Sequence, residues 1–219
     1  FSPYLGGGLD EERFKRDLPL YRPLVRVETI RDGGIVEGTA ECLAAGEVVG
    51  WMQGRFEMGP RALGNRSILA DPRTLEMKDT VNRRIKQREM FRPFAPSILE
   101  AHADRYFDLP SPIGLGDRAP ERFMLATHKA REETKDSVRA VIHVDDTSRV
   151  HVVAPGVNPL FHDLIEAFGR RTGVPVLLNT SLNIAGQPMA SDALSGMRAF
   201  LYSDMDRLVI GDHFITKRD

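Results

Sequence analysis

Arg55-Phe-Glu-Met-Gly-Pro-Arg-Ala-Leu-Gly-Asn-Arg-Ser67 sets two glycines and a proline among three arginines. Gly and Pro at that density disfavour a regular helix. The stretch is therefore predicted to be a shaped loop whose backbone can approach a ligand closely. Guanidinium groups are permanently charged planar forks that match phosphate oxygens two at a time, so Arg61 and Arg66 are candidate phosphate clamps. Ion pairing of these arginines with Glu57 and Asp71 is the competing account.

Outward from this loop the positive charge continues. Residues 55–92 hold ten basic side chains against five acidic ones, a net +5, which leaves −6 for the remainder of a chain whose total is −1. A cationic segment in an otherwise acidic chain expects anions. Lys86-Gln-Arg88 and Arg92 form a second basic group. Charge at a helix C-terminus explains Lys86, whereas Arg88 and Arg92 extend beyond the expected helix end.

The 219 residues suit one globular domain, with or without an arm. Hydrophobic and charged shares of 42% and 28% are ordinary for such a domain. The single cysteine, Cys42, cannot form an internal disulfide, which suits a reducing compartment and makes the cytoplasm the expected location. No apolar run reaches a membrane-spanning length, and the start lacks a secretory pattern. The first residue is Phe rather than Met, as expected of a fragment or a trimmed chain.

Hydrophobic periodicity predicts a helix from 35 to 44, a strand at 48–52, an amphipathic helix over 71–85 and a strand at 94–99. Further strands are expected at 122–126, 149–153, 176–178 and 208–210, with helices at 160–168 and 193–201. The Pro/Gly-rich stretch 111–120 is a candidate lid, and residues 1–32 read as an N-terminal arm or linker. Interleaved helices and strands favour an α/β domain with a largely buried mixed sheet.

Asn179-Thr-Ser-Leu-Asn183 follows a buried strand, the position where open α/β sheets collect ligands. Ordinary turn chemistry favours the same residues. Arg149, closing Asp145-Asp-Thr-Ser-Arg149, is either a further anion ligand or a partner of the two aspartates. The six histidines show no metal-site spacing and read as surface or packing residues. Neither a P-loop nor a nucleophile elbow occurs.

Residues 55–73, reading RFEMGPRALGNRSILADPR, resemble the hallmark of the C-terminal domain of the O-carbamoyltransferases of nodulation-factor and antibiotic biosynthesis. Phe91-Arg-Pro-Phe-Ala-Pro-Ser-Ile98, His143-Val-Asp-Asp-Thr-Ser-Arg149 and Leu178-Asn-Thr-Ser-Leu-Asn-Ile-Ala-Gly186 resemble further blocks of that family, in order. The domain is similar to the YrdC-like fold of threonylcarbamoyl-adenylate synthases, whose Lys-x-Arg and Ser-x-Asn signatures resemble Lys86-Gln-Arg88 and Ser181-Leu-Asn183. Two positions depart: Arg92-Pro93 stands where the synthases carry Lys-Pro, and Asp145-Asp146-Thr147 where the carbamoyltransferases carry Asp-Gly-Thr.

The resemblance implies an open twisted mixed sheet with flanking helices, a YrdC-like domain over 33–219, and an actin-like-fold domain outside this chain that holds its own metal ion. It implies that carbamoyl phosphate and ATP, with Mg²⁺, are converted to carbamoyl-adenylate for transfer to an acceptor hydroxyl. Lys86, Arg88, Ser181 and Asn183 would then be catalytic, and Arg61, Arg66, Arg92, Arg149 and Asn179 would bind substrate. Two rivals remain: an RNA-binding module on the same basic surface, and a catalytically silent scaffold. Against RNA, only Phe56, Phe91 and Phe94 accompany the basic segment as stacking aromatics.

Overall fold

The computed structural model describes residues 2–30, 33–110 and 116–218. Among the described residues seven α-helices and ten strands follow in the order α1 (Glu11–Tyr21), β1 (Val25–Thr29), α2 (Gly34–Ala44), β2 (Val49–Met52), β3 (Arg66–Ala70), α3 (Leu75–Thr80), β4 (Ala95–Leu99), α4 (Glu100–Tyr106), β5 (Thr127–Lys129), α5 (Glu132–Lys135), β6 (Thr147–Arg149), β7 (His151–Val153), α6 (Pro159–Thr172), β8 (Val176–Ser181), α7 (Ala193–Leu201), β9 (Arg207–Ile210) and β10 (His213–Lys217). Short 3₁₀ turns and one π-helical turn fill several of the connections.

Eight strands form one sheet in the order β1-β10-β9-β2-β3-β8-β4-β7. The pairs β2–β9 and β4–β7 are parallel and the rest antiparallel, so the expected mixed sheet is present and mostly antiparallel. Side chains alternate between its faces. Trp51, Leu69, Leu177 and Val209 pack on one face with Phe161, Leu164 and Phe168 of α6 and Leu43 of α2. Met52, Ile68, Leu178 and Leu208 pack on the other with Phe14 of α1, Tyr106 of α4 and Phe200 of α7. Strands covered on both sides read as continuous apolar runs, which is why 176–178 and 208–210 were legible.

Several elements differ from expectation. Residues expected to form an arm are integrated instead: β1 pairs along its whole length with β10, and Phe14 of α1 is buried in the core. The helix expected over 71–85 begins only at Leu75 and passes at Val81 into a π-helical turn ending at Lys86. Residues 120–123 form a 3₁₀ turn, and the strand expected at 122–126 lies instead at β5. The strand expected at 149–153 is split: β6 pairs with β5 while β7 joins the main sheet. Part of the expected lid, 111–115, lies outside the described residues. Beyond it the chain forms short 3₁₀ turns at Gly116–Arg118 and Pro120–Phe123. Among the described residues no helix is long and apolar enough to cross a membrane.

The arginine loop joins β2 to β3 and is tied down at its end by a close approach. Gly64 has φ +100°, and a Cβ there would lie 2.3 Å from the Phe161 ring. Left-handed strain and the ring clash act together, so Gly64→Ala should destabilise the fold by at least ~3 kcal/mol. Urea unfolding would measure it; a loss below ~1 kcal/mol would contradict this packing.

Candidate anion site

The loop between β2 and β3 is organised by two buried charges facing inward. Glu57 is fully buried, and its Oε1 accepts from the backbone N–H of Leu63 (2.9 Å), Asn65 (2.7 Å) and Arg66 (3.0 Å). Arg66 is also fully buried and donates to the carbonyls of Gln53 (2.5 Å), Asn65 (2.9 Å) and Gly54 (3.2 Å). Gly59 and Gly64 supply positive φ at the bends. Trp51 Nε1 and Tyr4 Oη donate to the carbonyls of Gly64 and Leu63 at 2.9 and 2.8 Å.

Two expectations change with this geometry. Arg66, expected to bind substrate, is turned into its own loop, where its guanidinium donates to the carbonyls of residues 53, 54 and 65, and it does not line the cavity described below. The ion pairs of the competing account, between Arg61 or Arg66 and Glu57 or Asp71, do not form among the described residues: Glu57 serves the backbone, and Asp71 is bidentate to Arg73. Arg61 is left facing outward from the loop, donating only to its neighbour's carbonyl at 3.3 Å among the described residues.

Arg61 opens onto a cavity of about 130 Å³. Arg88, Arg149, Asn179, Thr180 and Ser181 line it as well, over a floor that includes Ala62 and Pro93. Four elements supply these residues: the β2–β3 loop, the turn after the π-helical segment, the end of β6 and the end of β8. Asn179 and Ser181 thus lie within β8 rather than beyond it. Arg88 is set by Asn82 Oδ1 at 2.7 Å and lies 4.7 Å above the Phe94 ring. The positive φ of Gln87 ends the π-helical turn and aims Arg88 back toward the sheet.

The cavity is rich in donors and poor in acceptors. Nε of Arg61 and of Arg149 are buried without a partner among the described residues, and no acidic side chain lines the space. Burial, then the neighbouring Arg61, pulls the Arg149 pKa down; burial, then Arg92, does the same at Arg88. Guanidinium groups crowded and desolvated in this way are stabilised by an incoming anion. Asn179, whose Oδ1 is buried and unpartnered among the described residues, lines the space beside the hydroxyls of Thr180 and Ser181.

Lys86 and Asn183 stand one step behind. The Lys86 ammonium donates to Ser181 O (2.5 Å), Asn183 Oδ1 (2.6 Å), Asn183 O (3.2 Å) and Ser181 Oγ (3.4 Å), so it holds the turn after β8. Ser181 Oγ donates to Asn183 Oδ1 at 2.8 Å. Arg92, expected in the site, lies on the surface in an ion pair with Glu89 at 3.1 Å and does not line the cavity. Asp146, where the resembling family carries Gly, has φ +60°, the left-handed conformation that glycine adopts most readily. Sequence reasoning missed Glu57 and Asn82 as organisers; an isolated acid between an aromatic and a Met-Gly-Pro turn was the available signal for the first.

A second, larger cavity of about 640 Å³ adjoins the first and shares Pro60 and Arg61 with it. Met58, Leu63, Phe123 and Leu125 make it apolar, and Arg118 stands at its edge. Its volume is that of a typical organic-ligand pocket. A small anion cavity opening beside an apolar one suits a ligand with a charged head and a flat organic body.

Fold and site together define an α/β domain with a small, arginine-lined cavity beside the end of β8. The sequence profile described as Carbamoyltransferase C-terminus matches residues 40–217, and the chain belongs to that family. It is 42% identical over 216 residues to nodulation protein NolNO of Sinorhizobium fredii, covering 98% of this chain and 31% of that protein. It is 44% identical over 180 residues to the 3'-hydroxymethylcephem-O-carbamoyltransferase of Amycolatopsis lactamdurans, covering 81% of this chain and 32% of that enzyme. The chain thus spans about a third of the length of these relatives.

Among solved structures, HypF from T. kodakarensis superposes with a TM-score of 0.54 at 18% identity, covering 89% of this chain and 23% of that one. A P. abyssi Sua5 variant superposes with a TM-score of 0.52 at 17% identity, covering 83% and 46%. The fold is therefore that of the YrdC/Sua5-like domains, as the sequence resemblance implied.

Burial, then nearby Arg88, pulls the Lys86 pKa down to about 7, whereas an unfolded lysine keeps its proton to about 10.4. Between those values the unfolded chain binds more protons, so stability rises with pH across that window, by at most ~1.4 kcal/mol per unit. Lys86→Met should flatten this slope. Unfolding free energies measured from pH 7 to 10 check it; an unchanged slope would place the titration elsewhere.

Proposed function

We propose that this domain binds carbamoyl phosphate and ATP and forms carbamoyl-adenylate, the activated carbamoyl group for O-carbamoylation of a hydroxyl acceptor. The observation that carries the reading is the cavity itself: Arg61, Arg88 and Arg149 converge on a space that also holds amide and hydroxyl groups and, among the described residues, no carboxylate. A site of this kind stabilises charge developing on transferring phosphoryl groups without any protein nucleophile. Family membership and the similarity to named O-carbamoyltransferases support the same chemistry.

The atoms balance in two steps. Water cleaves the bond between carbamoyl and phosphate, giving carbamate and inorganic phosphate. A carbamate oxygen then attacks the α-phosphorus of ATP, and pyrophosphate leaves with the displaced bond's electron pair. The three arginines bind the acyl phosphate and then the α-phosphate region, Ser181 and Thr180 hydrogen-bond to phosphoryl oxygens, and Lys86 holds Ser181 in place. The adjoining apolar cavity takes the nucleoside.

Magnesium fits this wall poorly as a protein-held ion. The cavity presents no carboxylate, and the described residues contain no cluster of three or more His, Cys, Asp or Glu side chains able to hold a metal. Mg²⁺ favours oxygen ligands and commonly keeps its waters and the substrate's phosphates, so it would arrive on ATP. We assign transfer to the acceptor to an actin-like-fold domain beyond this chain, with its own metal ion, and place the reaction in the cytoplasm.

The RNA-binding alternative finds less support: of its three candidate stacking aromatics Phe94 is buried beneath Arg88 and Phe56 is half-buried, which leaves Phe91 as the one exposed ring among them. Arg61 makes no structural bond beyond its own loop among the described residues, so Arg61→Ala leaves the fold intact. In the full natural chain it should reduce carbamoyl-phosphate-dependent exchange between ATP and pyrophosphate by at least ~100-fold, the loss typical of a removed charge-stabilising donor. Exchange at the wild-type rate would exclude this cavity as the reaction centre.

A further inference from the structure

Residues 3–7 lie alongside the loop between β2 and β3 and are bonded to it main chain to main chain. Met58 N donates to Pro3 O at 2.8 Å, Gly6 N to Phe56 O at 3.0 Å and Phe56 N to Gly7 O at 2.9 Å. The Arg55 side chain adds two bonds, from Nε to Gly6 O and from Nη2 to Leu5 O, each at 3.0 Å. Tyr4 Oη donates to Leu63 O at 2.8 Å and accepts from Asn158 Nδ2 at 3.2 Å. Asn158 also donates to Asn65 Oδ1 at 2.9 Å, and its own Oδ1 accepts from Phe161 N at the start of α6, at 3.2 Å. These five residues precede the stretch matched by the family profile, 40–217.

What the segment holds is the two ends of one short stretch. Met58 and Leu63 flank residues 59–62, which carry Arg61, and they are bonded to the adjacent residues Pro3 and Tyr4. Arg61 itself bonds only to Pro60 O among the described residues, and Ala62 O, accepting from Asn179 Nδ2 at 3.2 Å, is the other tie within the stretch. Burial pushes the Tyr4 phenol pKa up, with the Asn158 hydrogen bond acting against it and Glu57 with it, so the group keeps its proton and remains a donor. The Tyr4 ring packs on the cluster of Leu63, Ala95 and Met124, and the last two line the arginine cavity. Close approach makes the fit demanding at one glycine. A Cβ at Gly6 would lie 2.7 Å from Phe56 Cβ and 2.9 Å from Phe56 O, whereas a Cβ at Gly8 would meet nothing within 4 Å. No side-chain rotation relieves a contact with a backbone oxygen, so an alanine at position 6 would wedge the segment away from the loop.

We propose that residues 3–7 are a strap that sets the position of Arg61 in the anion cavity, with Tyr4 and Gly6 as its positioning residues. A four-residue stretch tied at one end only has many backbone conformations open to it, each lost at a cost when a ligand orders the loop. Tying both ends removes that freedom before the ligand arrives, so less ordering opposes binding. The strap lines neither the arginine cavity nor the apolar one beside it. Its influence on a bound anion therefore passes through the loop and Arg61. Coupling of this kind is reciprocal: an anion held by Arg61 in turn stabilises the strap on the loop.

The inference rests on the proposed function in that Arg61 is a ligand of carbamoyl phosphate, and its test separates the two. Dissociation constants of carbamoyl phosphate are measured on the full natural chain and on its Gly6→Ala, Gly8→Ala and Tyr4→Phe variants, each with and without Arg61→Ala. Gly6→Ala, which wedges the strap, and Tyr4→Phe, which keeps the ring and loses the donor, should each weaken binding at least ~5-fold. Gly8→Ala, the same change where there is room for it, should leave binding as it is. In the Arg61→Ala background neither Gly6→Ala nor Tyr4→Phe should weaken binding further, since their effect passes through Arg61. Bound carbamoyl phosphate should also slow hydrogen exchange at the Gly6 and Met58 amides of the wild type and not of Arg61→Ala. Unchanged affinity in Gly6→Ala or Tyr4→Phe, equal weakening by Gly8→Ala, or weakening that persists in full without Arg61 would overturn the inference while leaving the proposed function standing. A wild type that does not bind carbamoyl phosphate, or an Arg61→Ala variant that binds it as tightly as the wild type, would overturn both.

Discussion

A single carboxylate oxygen, Glu57 Oε1, accepts three backbone N–H groups of the loop between β2 and β3. The rest of the site depends on it. Those N–H groups lie where the loop turns into β3, whose first residue is Arg66. A carboxylate is the strongest acceptor a side chain can offer. Arg66 answers from the other side by taking the carbonyls of residues 53, 54 and 65. Two opposite charges, both buried, thus share one loop and satisfy its donors and acceptors separately. Removing either partner would leave a buried uncompensated charge, a large destabilisation. Arg61 then projects from a rigid frame instead of a mobile loop, which lets it meet Arg88 and Arg149 across the cavity.

Much of the fold was legible where one physical rule dominates. The central strands 176–178 and 208–210 are apolar on both faces and could be read as buried strands, and helices 160–168 and 193–201 show a clear amphipathic period. Elements failed to be legible where polar residues are buried. β3 opens on Arg66 and Ser67, both buried, so the loop reading ran into it and no strand was expected at 66–70. β1 is a partly exposed edge strand, its neighbour β10 is of mixed character, and the pairing that makes them strands joins residues nearly two hundred positions apart. The stretch 149–153 read as one strand because the chain changes sheets at Val150 without a glycine or proline to mark the change.

The site followed the same division. Arg61, Arg88, Arg149, Asn179 and Ser181 were visible as residue types suited to phosphate, and the structure brings them to one cavity. Their neighbours in the motif, Arg66 and Arg92, carry the same charge, yet one is turned into the loop and the other out to solvent. Composition cannot separate the three situations, because the difference lies in which way the backbone points each Cβ. Glu57, Asn82 and Tyr4 were passed over for a related reason: an acid, an amide and a phenol look ordinary until tertiary structure encloses them.

The central claim is that a loop held by Glu57 and Arg66 presents Arg61 to a shared anion with Arg88 and Arg149. A crystal structure of the full natural chain with carbamoyl phosphate bound tests it most directly. The account predicts the phosphate among those three guanidinium groups, with Arg66 still bonded to its own loop carbonyls. A phosphate held instead by Arg66 or Arg92, or bound away from Arg61, would contradict it.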